Sequence, residues 1–160
     1  MTVTDERLES VYFSVSYATG VQVIIVREDS EITSVDDLFE DGVHFNIGVQ
    51  ISTTGDLYAT WDLEDEGLAT VNRYRRGTDA VQSLVTGRVD CVIIDNEPAK
   101  AFVTANPGLK ILETEFAVED YAIAIRRGNT ELKDAIDEAL RALIADGTVQ
   151  RIIDKYISVD

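Results

Sequence analysis

The residues that could do chemistry in this chain fall into three groups. Arg7 ends the run Thr4-Asp5-Glu6-Arg7. Thr53 and Thr54 sit in Gly48-Val49-Gln50-Ile51-Ser52-Thr53-Thr54-Gly55, and Asp95 closes the apolar run Cys91-Val92-Ile93-Ile94. A guanidinium donates in a bidentate fork, and hydroxyls at a helix start stand beside open backbone N–H groups, so Arg7 with the two threonines suits a carboxylate. An aspartate taken out of water suits an ammonium. The set as a whole fits a zwitterion.

Other chemistries have less behind them. His44 is the single histidine, with no cysteine or second histidine near it in sequence, so neither a metal site nor a catalytic dyad is indicated. Cys91 cannot form an internal disulfide and reads as a small core residue. The cluster Asp62, Glu64, Asp65, Glu66 lacks the alternating oxygen ligands and central glycine of a calcium loop, and reads as a solvated helix end. Arg73, Arg75 and Arg76 flank Tyr74. Such a run in an acidic protein is usually a solvated loop, though its place before a helix opening at Thr78 would also let it border a cleft.

Bulk properties narrow the partners. The 160 residues suffice for one domain with a real core, or for one domain and part of another. With 30 acidic against 14 basic residues the formal charge is −16, which repels nucleic acid and anionic membrane. No segment reaches the roughly 18 apolar residues of a membrane span, and Met1 is followed by polar residues rather than a leader, so the expectation is a soluble chain without an export signal.

The elements that must position these residues alternate between strand and helix, the pattern of an α/β protein with a largely parallel sheet. Strands are expected at Val21–Val26, Phe45–Val49, Ala69–Tyr74, Cys91–Ile94, Leu109–Leu112 and Tyr121–Ile125. Thr54 is expected to cap a helix through Leu63 with Leu57, Tyr58 and Trp61 toward the core. Thr78 opens the next helix, and Asn96 caps another with Pro98 in its first turn. Two helices close the chain, one from Asn129 or Thr130 to Gly147 and one from Thr148 to about Ile157. Each carries an apolar stripe, Leu132, Ile136, Leu140, Leu143 and Val149, Ile152, Ile153, Tyr156.

The order and spacing of Met1-Thr-Val-Thr-Asp-Glu-Arg7, Tyr12-Phe13-Ser14, Ser34-Val-Asp-Asp-Leu38, Gly48-Val-Gln50 with Thr53-Thr54-Gly55, Gly87-Arg-Val-Asp90 and Ala145-Asp-Gly-Thr148 resemble the solute-binding proteins of polar-amino-acid ABC importers. The resemblance implies the second lobe of a type II periplasmic-binding fold, an open, mostly parallel sheet flanked by helices, plus C-terminal helices of the first lobe. It assigns residues 1–20 to a first-lobe remnant, 21–125 to the second lobe with its two hinge strands, and 126–160 to C-terminal helices of the first lobe. By position, Arg7 resembles the clamp on the ligand α-carboxylate and Thr2 a hydroxyl beside it. Thr53 and Thr54 resemble further donors to that carboxylate, and Asp95 the acceptor of the α-ammonium. Ser52 stands where relatives often have glycine, which raises the backbone demand on that loop.

What the resemblance implies for function is an extracytoplasmic amino-acid-binding component of an importer, truncated, weak in ligand binding, without enzymatic activity, and needing no cofactor or metal. Its expected partners are a small-molecule amino acid and, in the full-length family, the transporter permease. A homodimer formed by exchange of first-lobe elements is also expected, and nucleic acid is not. The alternatives are a cyclohexadienyl dehydratase-like enzyme on the same fold, or a dimeric remnant that binds nothing.

Overall fold

The structure, a computed structural model, describes residues 1–156, the last of them by its backbone alone; the continuation of the final helix to Ile157 and the Tyr156 side chain lie outside the described residues. The chain divides into two compact units. One is Val21–Ala117, and the other joins Met1–Gly20 to the segment that begins at Val118.

The Val21–Ala117 unit grows from apolar runs that are buried on both faces. Strand β2 (Ala18–Arg27) sends Ile24 and Val26 to one core cluster and Val23 and Ile25 to the other, as the two-residue period of a strand requires. Strand β5 (Cys91–Asp95) does the same with Cys91 and Ile93 against Val92 and Ile94. Strand β3 (Phe45–Gln50) completes the centre, and β4 (Ala69–Tyr74) and β6 (Leu109–Ile111) end the order β4-β3-β5-β2-β6. The parallel set is β4-β3-β5. By contrast β2 runs antiparallel to both β5 and β6. Parallel strands need crossover connections, and α3 (Gly77–Val85) supplies the one that leads from β4 past β3 to β5.

Three local expectations are corrected. Thr53, not Thr54, caps α2 (Thr54–Ala59), its hydroxyl accepting from Asp56 N–H. The helix then gives way to a π turn at Thr60–Glu64, which turns Leu63 into the core and leaves Trp61 40% exposed, edge-on to Tyr58. Asp95, not Asn96, caps α4 (Asn96–Ala105), its carboxylate accepting from Glu97 N–H.

In the other unit, α1 (Asp5–Ser10) is capped by Thr4, and β1 (Val11–Phe13) pairs antiparallel with β8 (Ala124–Arg126). The expected single strand Tyr121–Ile125 is two, β7 (Ala117–Tyr121) and β8. The break occurs because Ala122 N–H donates to the Met1 carbonyl and Ile123 exchanges bonds with Ser14, so these groups are taken by loop partners rather than a ladder. Helices α5 (Thr130–Ala145, capped by Asn129) and α6 (Thr148–Tyr156) end the described chain, with Gly147 at φ +75° between them.

Candidate functional site

Because β3, β4 and β5 run parallel, their carboxyl ends share one edge, the place where open α/β sheets present ligand sites. A cavity of about 410 Å³ opens there within the Val21–Ala117 unit. Gln50, Thr53 and Thr54 reach it from the end of β3, Arg76, Gly77 and Thr78 from the end of β4, and Asp95, Pro98 and Phe102 from β5 and α4. Gln22 of β2 and Ile94 of β5 line it as well.

The loop after β3 is held from several sides. Ser52 takes φ +63°, the left-handed region that L residues enter at a cost. Asp56 fixes it there, accepting from Ser52 N–H at 2.9 Å. Arg73 in turn binds Asp56 at 2.8 Å, Glu64 at 2.6 Å and the Thr60 hydroxyl at 2.8 Å, so the acidic residues of this stretch are not all solvated. Glu64 is drawn below the usual carboxylate range chiefly by its hydrogen bond from Arg73. Gly55 has no room for a side chain, since a Cβ would fall 2.9 Å from Gln22 Oε1 and 3.0 Å from the Ile93 carbonyl.

Within this frame the Thr53 hydroxyl is engaged twice, donating to the Gln50 carbonyl at 2.7 Å and accepting from Asp56 N–H at 3.4 Å. It shapes the turn, and would give its proton to a ligand only by leaving Gln50. Thr54 is buried at the same turn. Asp95 caps α4 through a 3.2 Å bond from Glu97 N–H while remaining half-buried. Burial pushes its carboxyl above the ordinary range, the Glu97 N–H opposes this, and the Glu97 charge adds to it. A carboxylate unfavourably desolvated gains most from an incoming cation.

Thr2 and Arg7 lie in the other unit. Arg7 Nη1 donates to the Thr2 carbonyl at 3.0 Å, and the buried Thr2 hydroxyl donates to Glu119 at 2.8 Å. The structure therefore groups Thr53, Thr54 and Asp95 on one cavity and joins Arg7 to Thr2 directly. His44 is exposed and bonds Thr70 at 2.9 Å, and Cys91 is fully buried, its thiol raised by desolvation and by Asp90. Among the described residues no cluster of three His, Cys, Asp or Glu side chains could hold a metal ion, and no helix is long and apolar enough to cross a membrane. Sequence reasoning missed Gln22, Gln50 and Phe102 as cavity residues. The available signal was Gln22 itself, the one polar residue inside the apolar run Val21–Val26.

The chain is similar to known proteins over nearly its whole length. The L-arginine-binding protein of Pseudomonas aeruginosa is 31% identical over 170 residues, covering 100% of this chain and 63% of its own length. The chain thus spans less than two thirds of that relative. The solved structure of an ancestral arginine-binding protein bound to arginine superimposes with a TM-score of 0.85 at 36% identity, covering 99% of this chain and 69% of that one. The ancestral amino-acid-binding protein AncCDT-1, described as a precursor of cyclohexadienyl dehydratase, gives 0.81 at 29% identity, with 99% and 66% covered. The family model for bacterial extracellular solute-binding proteins, family 3, matches residues 1–159, and the chain belongs to that family.

Proposed function

We propose that this chain binds an α-amino acid without transforming it, as part of the extracytoplasmic binding component of an ABC importer. The observation that carries the reading is the convergence of Thr54 and Asp95 on one cavity at the carboxyl ends of parallel strands. Asp95 accepts from the ligand ammonium, and Thr54, on a turn set by Thr53, donates to its carboxylate. Arg7 and Thr2 carry the groups that family resemblance assigns to the same carboxylate, and the permease is the partner that receives the ligand. Binding by this chain alone is weak, above micromolar. Calorimetry against the common amino acids tests the reading: a shift with none of them refutes it, and sub-micromolar binding by a monomer refutes the weakness.

A dehydratase reading has one observation in its favour, the likeness to AncCDT-1. Elimination needs a general acid aimed at the leaving group, and Asp95 is the one carboxyl group among the described residues lining the cavity. Its partner is taken to be the ammonium, so the binding reading is preferred. Turnover of prephenate or arogenate would reverse that preference.

A further inference from the structure

The carboxamide of Gln22 makes no side-chain hydrogen bond among the described residues. The residue is 3% exposed, yet among the described residues its hydrogen bonding is confined to the main chain, where its carbonyl accepts from Phe116 N–H. The enclosed side-chain atoms without a partner among the described residues include Glu97 Oε2 but neither polar atom of Gln22, so the Gln22 amide is one that reaches the cavity and finds its partner there. Gln22 lies directly across from Asp95 in the antiparallel pairing of β2 and β5, so the two side chains leave the same face of the sheet, and both line the cavity. Gly55 leaves the amide its room, since any side chain there would collide with Gln22 Oε1. What is missing from the Gln22 hydrogen-bond set is therefore on the cavity side.

The charge around it points the same way. Arg76 lines the cavity, and its guanidinium spends Nε and Nη2 on Asp79 at 3.1 and 2.9 Å, leaving Nη1 without a bond among the described residues. The Gln50 side chain adds a second amide. If Asp95 takes the ammonium, this cavity wall holds no further carboxylate for a cationic side chain.

We propose that Gln22 contacts the ligand directly and, with Arg76, sets its class: an α-amino acid whose side chain ends in a hydrogen-bond acceptor, a carboxamide or carboxylate, in preference to a cationic one. The proposal rests on the amino-acid reading above. An acceptor takes the Gln22 Nε2–H and the Arg76 Nη1–H that Asp79 leaves open. A side-chain ammonium or guanidinium accepts no hydrogen bond from either donor, and Asp79 is already paired with Arg76.

The test is a titration of the ¹⁵N-labelled chain with glutamine, glutamate, arginine and leucine, following the amides of Thr54 and Asp95. Glutamine and glutamate should bind at least about fivefold more tightly than arginine or leucine, and Gln22→Leu should weaken glutamine by about tenfold, the worth of one hydrogen bond to a ligand. Arg76→Glu, at a side chain 75% exposed where folding is not at stake, should bring arginine level with glutamate or ahead of it. Arginine binding first in the unaltered chain overturns the proposal and leaves the amino-acid reading standing, as does a folded Gln22→Leu chain with unchanged glutamine affinity. If Gln22→Leu does not fold, the Arg76→Glu preference decides. Silence toward all four ligands overturns both readings.

Discussion

The two compact units solve the problem of cohesion differently. In Val21–Ala117, strands β2 and β5 bury apolar side chains on both faces, and Ile24, Ile25, Val26, Ile47, Val49, Leu63, Leu84 and Ile93 are all inaccessible to solvent. In the other unit, the buried apolar side chains among the described residues are Phe13, Ala122 and Ile125, while Leu132, Ile144 and Ile152 on α5 and α6 remain 47%, 43% and 53% exposed. Polar anchors take over there. Asp137 is 4% exposed and accepts from Val15 N–H at 2.8 Å and from Lys133 at 2.6 Å, and Thr2 binds Glu119. The cavity is thus built on a unit with its own core, whereas the helices at the end of the chain present apolar surface.

Core substitutions should behave differently in the two units. Leu63 is fully buried against Ile24, Ile47 and Ile93, so Leu63→Ala should cost in the upper half of the roughly 2–5 kcal/mol usual for such truncations. Leu132→Ala removes a side chain that is half in water and should cost far less. Urea unfolding of both variants measures the difference; equal losses would mean that the exposed stripe is covered in solution.

Ligand binding should show the next largest effect. Asp95→Ala removes the acceptor from a half-buried position and should lower amino-acid affinity by roughly 2–3 kcal/mol, with Arg7→Ala comparable. His44→Ala, at an exposed residue bonded to Thr70, is the control. Glu64 would be a poor control, because it holds Arg73. Calorimetry in which His44→Ala weakens binding as much as Asp95→Ala refutes the assignment.

The two units should also answer pH in opposite senses. Burial raises Asp95, so the folded chain holds that proton more tightly than the unfolded one. Its contribution to stability is full below the ordinary carboxylate range and is lost as pH rises through the raised value. Binding of an ammonium needs the ionised form, so affinity should fall by about tenfold, or ~1.4 kcal/mol, for each pH unit below that value. Asp95→Asn should therefore gain stability at neutral pH while losing ligand. Asp137 is held low, first by Lys133 and then by Val15 N–H. Its contribution is present above the ordinary range and is lost as pH falls through the lowered value. A neutral-pH melt in which Asp95→Asn is no more stable than the parent chain would count against the burial argument.

How much of this was legible in the sequence varies with how locally each feature is determined. Strands β2 and β5 could be read because a run buried on both faces is apolar at nearly every step, and Thr53, Thr54 and Asp95 because residue type and element end coincide. The split between β7 and β8 could not, since it depends on Met1 and Ser14, more than 100 residues away in sequence. Trp61 was misplaced because helical spacing assumes 3.6 residues per turn, and the π turn at Thr60–Glu64 breaks that phase. Gln22 went unremarked because a single polar residue in a hydrophobic strand has no periodicity of its own. Its meaning came from the register that sets it opposite Asp95.

A smaller effect sharpens the account of the cavity loop. Ser52 at φ +63° bears a left-handed backbone, and the bond from its N–H to Asp56 survives any side-chain change. Ser52→Gly should relieve about 1 kcal/mol of strain, partly offset by the greater freedom of glycine in the unfolded chain, for a net gain of about 0.5 kcal/mol. A lower melting temperature would show that the serine side chain contributes more than the strain costs.

The smallest expected effect bears on the surface of α5 and α6. In a monomer, Leu132→Ser and Ile152→Ser alter side chains already about half in water, and each should change stability by no more than about 0.5 kcal/mol. If two copies associate by exchanging elements, the same apolar stripes become buried. The substitutions would then lower the melting temperature in a concentration-dependent way, because stability is linked to protomer concentration. We propose the dimer, since contiguous apolar surface on adjacent helices is seldom left to solvent. Light scattering of the parent chain and of Leu132→Ser with Ile152→Ser combined separates the cases. A dimer that the double substitution converts to monomer supports exchange, while a parent chain that stays monomeric at high concentration, with α5 and α6 protected from hydrogen exchange, rules it out.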